Sequence, residues 1–291
     1  SSRAISDLVA KSSRCVTDTV LIPTGTYACP TFHPLITWPV NIAPVTPGGV
    51  TIDCANQSSD GVVLKAAPPP VAGSPLRGVV TVNDIDVVNS GSSGGLPAFA
   101  VSGTGAALTI SNAAISEAAV GGSGGAVVVD DGGVLVVTNT SFTNCEAGGS
   151  GGAIYGTPSA GSVTISSVTL SGNTAGAGGA IAWTSPAALA MDSASTCNAN
   201  KATAGNGGCL LVSTPSPDLS LSGVTVSNNS AAGSGGGLAV HRPTGAGGGS
   251  VAITSGTMFN DNVAAVDGGA LAVSVAPGAS APASLSLSSV T

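Results

Sequence analysis

Fourteen acidic side chains and only seven basic ones occur in this 291-residue chain, so charged chemistry would fall mainly to carboxylates. Two carboxyl groups converging on one face can cleave a glycosidic bond, one as acid and the other as base or nucleophile. The candidate pairs are Asp84 with Asp86, Asp130 with Asp131, and Asp261 with Asp267. The repeat described below puts Asp84 and Asp86 at one corner and Asp130 and Asp131 in a loop after a different strand, so convergence is not expected. Asp261 and Asp267 read as solvated loop carboxylates. The two histidines, His33 and His241, fall in an N-terminal cap and a loop, and His241-Arg242 reads as an exposed loop pair. No GxSxG, HExxH, P-loop or EF-hand pattern is present. The expectation is a non-enzymatic protein without metal or cofactor.

Cysteine offers a second chemistry. Cys15, Cys29, Cys54, Cys145, Cys197 and Cys209 form no CxxC and no Cys/His cluster with metal-ligand spacing, so disulfides are favoured over a metal. Cys197 and Cys209 fall in one repeat and are expected to pair or lie close, with one further bridge among Cys15, Cys29 and Cys54. Sequons at Asn56, Asn139 and Asn228 mark candidate glycosylation sites. Together with an even cysteine count they favour an extracellular setting.

Composition narrows the partners. The bases Arg3, Lys11, Arg14, Lys65, Arg77, Lys201 and Arg242 are scattered and the net charge is −7. A phosphate backbone would find no basic stripe, so nucleic acid is not an expected partner. No apolar run is long enough to span a bilayer, so direct membrane insertion is not expected either. Low charge (7%) with 43% hydrophobic residues also argues against disorder.

The elements that position these residues come from an internal repeat. Gly124-Gly125, Gly151-Gly152, Gly178-Gly179, Gly207-Gly208, Gly235-Gly236 and Gly268-Gly269 recur with second-glycine spacings of 27, 27, 29, 28 and 33 residues, after a poorer copy at Gly94-Gly95. Between them apolar residues fall at steps of two, three and two, as in Leu108, Ile110, Ala113, Ile115 and in Val163, Ile165, Val168, Leu170. Alternation means strand, and the step of three is a corner that keeps the apolar face inward. A third strand follows each glycine pair, as at Leu238 and Val240. Three short strands per period make a triangular coil, and stacked coils make an all-β, single-stranded right-handed parallel β-helix of about seven recognisable turns. Asn173, Asn200, Asn229 and Asn262 recur upstream of the glycine pairs, with Cys145 in the same place, and are expected to form an amide ladder between coils.

Phe142-Thr-Asn-Cys145 and Phe259-Asn-Asp-Asn262, each followed by Gly-Gly-Ala, resemble the FxxN and GGA[ILV] repeats of polymorphic outer membrane proteins. The likeness covers residues 77 to 291, with looser copies ending at Asn173, Asn200 and Asn229. It implies a surface-exposed β-helix, which in bacterial members is an adhesin passenger. Residues 1 to 76 differ: they hold most of the prolines, and Thr19 to Asp53 resembles the opening coils of pectin-lyase-like β-helices. A short cap helix is expected at Ser6 to Ser12. At the other end Leu285, Leu287 and Val290 restart the template, so further coils or a neighbouring subunit are expected to cover that edge. The functional expectation is a structural component of an extracellular filament, coat or matrix, with self-association, neighbouring subunits and glycans as partners. The alternative is a carbohydrate-binding adhesin or a polysaccharide-cleaving β-helix.

Overall fold

A computed structural model describes residues 18–29, 35–55, 64–67, 78–90, 96–192, 194–243, 248–277 and 284–291. Cys15, His33, Asn56, Gly94-Gly95 and the cap expected at 6–12 lie outside the described residues. Among the described residues the strand pairings are all parallel and join one turn of the chain to the next, the topology of a parallel β-helix. The first sheet has ten strands, from Asp18–Ile22 to Ser284–Leu287. The second has nine, from Gly25–Ala28 to Met258–Asn260, and the third nine, from Leu35–Ile36 to Leu271–Val275. The same sheets run across residue 76, since Val40 pairs with Val80 and Ile52 with Val87.

Alternation along each strand explains the core. Leu108 and Ile110 point inward and are fully buried, and their register partners in the next coil, Leu135 and Val137, repeat the placement. Stacked strands lie about 4.8 Å apart, so like residues form continuous columns inside the coil. Each such Val, Leu or Ile contributes roughly 1.5 to 3 kcal/mol by leaving water. Corners after the first-sheet strands hold residues at positive φ, among them Asp84, Asn112, Asn139 and Ser167. A second corner repeats the device with Asn89, Glu117, Asn144, Ala199, Asn228 and Asp261.

The triangular section needs correction. From Ala119–Val120 to Val263–Ala264 each coil carries a fourth, short strand between the second and third sheets, giving a separate six-stranded sheet. Its inward residues are small, and Val120, Ala147 and Ala175 form a second buried cluster. Only one inward residue per coil belongs to this strand, too short a run for alternation to be read from sequence.

The glycine pair closes the turn into the third sheet. Gly151 adopts φ 68°, a left-handed conformation that favours glycine. A Cβ on Gly152 would lie 2.2 Å from the Gly179 carbonyl oxygen of the next coil. One glycine therefore supplies conformation and the other close approach. Large side chains are accommodated by the same means: a Cβ on Gly156 would lie 2.0 Å from the ring of its register partner Trp183, which is fully buried. The last coil is less covered, with Val273, Val275, Leu285 and Leu287 exposed.

Candidate functional site

The best-defined polar constellation is the ladder after the second corner. Asn173, Asn200 and Asn229 are buried. Each donates from its backbone N–H and from Nδ2 to the Oδ1 of the next asparagine, Asn200, Asn229 and Asn262 in turn, at 2.9 to 3.1 Å. Their amides also donate to strand carbonyls of the preceding coil, Phe142, Leu170 and Cys197. One amide thus ties three coils and leaves few buried polar atoms unmet, which burial demands. Cys145 begins the column by donating its N–H to Asn173 Oδ1.

Cysteine chemistry divides in three. Cys29 pairs with Cys54, one coil apart, and Cys197 pairs with Cys209 across one coil. Cys145, a disulfide candidate by sequence, is instead a free, buried thiol. Burial in the core pushes its pKa up to about 12, so it stays protonated and is a poor nucleophile. Its place in the asparagine column, away from the other sulfurs, is the physical reason.

Two grooves hold the carboxylates. The first, about 420 Å3, follows the first corner and is lined by Asp84, Asp86, Asn112, Asn139 and Thr169 among others. Asp84 Oδ2 accepts the Gly48 N–H and Asp86 Oδ1 the Ala114 N–H, both at 2.7 Å. Asn139 Nδ2 donates to Asn112 Oδ1, and Asn112 Nδ2 to Asn83 Oδ1, an outer ladder parallel to the buried one. Asn139 and Asn228 are both exposed at corners, on different edges of the coil.

The second groove, about 340 Å3, lies on the outer face of the third sheet between Lys65, Pro97, Ala100, Ser123, Val128 and Asp130. Asp130 Oδ1 accepts the hydroxyls of Thr157 (2.5 Å) and Ser159 (2.9 Å) and the Asp131 N–H (2.8 Å). The Thr157 hydroxyl, with Ser159, Asp131 and the Lys65 charge in support, holds its pKa below the usual carboxylate value against the effect of burial. Asp84 and Asp86 line one groove and Asp130 the other, so these carboxylates are not brought together. Asp261 and Asp267 are exposed, on the last coil. No group of three His, Cys, Asp or Glu side chains able to hold a metal occurs among the described residues.

His241 and Arg242 are not a loop pair. Both end the strand Leu238–Arg242, extended because it pairs along its length with Leu271–Val275. His241 Nδ1 lies 2.9 Å from Ser274 Oγ, while Arg242 is buried and donates to the Pro215 carbonyl at 3.1 and 3.2 Å. The Asp130 groove was not read from sequence. Its signal is present, since Thr157 and Ser159 follow Asp130 by 27 and 29 residues, one coil, but using it requires the register.

No protein-family model matches the chain, and no curated protein does. Among solved structures it is similar to the Streptococcus pneumoniae surface protein and adhesin PfbA, at 12% identity over 99% of this chain and 95% of that one, with a TM-score of 0.30. It is similar to tailspike protein 3 of Bacteriophage CBA120, at 10% identity over 97% of this chain and 59% of that one, with a TM-score of 0.29. The catalytic domain of a GH87 alpha-1,3-glucanase in complex with tetrasaccharides shares 13% identity over 100% of this chain and 67% of that one, with a TM-score of 0.27. The fold assignment rests on the strand pairing itself, and the chain is an all-β parallel solenoid.

Proposed function

We propose that this protein is a non-enzymatic structural element of an extracellular filament, coat or matrix, glycosylated at Asn139 and Asn228 and assembled by self-association. The observation that carries the reading is the ladder: from Cys145 to Asn262 successive coils devote the same corner position to joining one coil to the next. Two disulfides fit an oxidising compartment. Exposure of both asparagines at corners leaves room for a glycan, and each Nδ2 keeps a second proton for substitution while the first is donated to a neighbouring amide. Exposed Val273, Val275, Leu285 and Leu287 favour contact with further protein.

The test is intact-mass analysis of natively purified protein before and after glycosidase, with sedimentation of the same sample. Glycan mass on Asn139 and Asn228 and assembly beyond the monomer are expected. An unmodified, monomeric protein would count against the proposal. A second reading, binding of external saccharide, is favoured by the Asp130 groove.

A further inference from the structure

We propose that the outer face of the third sheet binds a neutral oligosaccharide lying along the solenoid axis, with one sugar in the Lys65–Asp130 groove and the next against Tyr155. The inference is independent of the structural role above.

Strand register sets the floor. Ala100, Val128 and Tyr155 are outward, half-buried partners in successive coils and make a short apolar stripe, which contrasts with the hydroxyl-rich second sheet. On the second sheet the corresponding outward columns read Ser141, Thr169, Thr196, Thr225 and Thr143, Ser171, Asn198, Ser227. A pyranose has an apolar C–H face and a polar edge, and such a stripe with polar flanks matches both. Ser102, Asp130 and Thr157 flank it at the strand ends, and Ser123 on the side of the glycine turn. The coil rise of about 4.8 Å is close to the length of one sugar unit, so successive sugars would meet Val128 and then Tyr155.

Asp130 is prepared as an acceptor. Its Oδ1 takes three donors, and Oδ2 takes none among the described residues. An ionised carboxylate fixed through one oxygen offers the other to sugar hydroxyls without a reorganisation cost. Charge argues for a neutral ligand: Lys65 in the groove is offset by Asp130, and the chain as a whole carries −7.

The experiment is NMR or calorimetric titration of the full chain with neutral gluco-, galacto-, manno- and xylo-oligosaccharides, and with oligogalacturonate as an acidic comparator. At least one neutral series should bind. Asp130→Asn and Tyr155→Ala should each weaken it roughly tenfold or more, Tyr155→Phe should retain it, and all three should stay folded with only small shifts in midpoint because they sit on the outer face. Absence of neutral binding, preference for oligogalacturonate, or binding indifferent to Asp130→Asn and Tyr155→Ala would each overturn the proposal.

Discussion

The coils near residues 18 to 67 and those from 107 to 242 share three sheets but are joined differently at the same corner. In the middle coils the second corner leads into the amide ladder of Asn173, Asn200, Asn229 and Asn262, and beyond it into the short fourth strand. In the early coils that corner carries the Cys29–Cys54 disulfide, stacked directly after the Ala28–Asp53 register pair. The described third-sheet strands there are Leu35–Ile36 and Leu64–Ala66. One covalent bond thus stands where repetition supplies many hydrogen bonds. An axial joint can be made either way, but only the repeated form extends to any number of coils.

The largest expected effect tests the close approach in the middle coils. A Cβ at position 179 would lie 2.1 Å from the Gly208 carbonyl oxygen and 2.5 Å from the Lys201 nitrogen, both backbone atoms. Gly179→Ala should therefore cost about 5 kcal/mol or more. Gly122→Ala, whose Cβ would meet nothing within 4 Å, should be nearly silent. Chemical denaturation of the two variants decides it, and equal midpoints would remove the packing account.

Next in size is the ladder. Asn200→Ala strands the buried Asn173 N–H and Nδ2 donors and the Leu170 carbonyl, at about 4 kcal/mol if each orphaned donor costs roughly 1 to 3. Asn112→Ala, on the exposed outer ladder, should cost about 1 kcal/mol, because water replaces the lost partners. A comparable loss at both positions would erase the distinction between buried and outer ladders.

The covalent joint should matter most where no ladder backs it. Removing Cys29–Cys54 by paired serine substitution should cost about 2 to 3 kcal/mol and raise amide exchange in residues 18–55 while leaving 107–242 protected. Exchange rising equally along the chain would mean that the coils unfold as one unit.

The smallest effect is electrostatic. The Asp130 carboxyl is held below its ordinary value first by Thr157, and Asp53 likewise by the Ala55 N–H and then Asn89. A carboxyl whose folded pKa is depressed adds stability above its unfolded value of about 3.9 and loses it as pH falls through the folded value. Stability should therefore decline below about pH 4, and Thr157→Val should flatten part of that slope by well under 1 kcal/mol. Unfolding midpoints across pH 2 to 6 for both proteins supply the comparison.

Sequence alone carried the solenoid, because a 27- to 33-residue period with two-three-two apolar spacing admits few other ways to bury its Val, Leu and Ile. It also carried the ladder column, since Asn173, Asn200, Asn229 and Asn262 recur five to seven residues before their glycine pairs and a small amide can bond its copy in the next coil. Stacking decided the rest. The fourth strand depends on Ala147 and Ala175 finding a shared pocket, a choice that a strand with a single inward residue does not encode. Arg242 is buried because its strand pairs to the end and the Pro215 carbonyl lies within reach, neither of which its glycine-rich neighbourhood foretells. The Asp130 groove exists because residues 27 to 29 positions apart become neighbours at one coil rise, and contact across that distance belongs to the register of the folded chain.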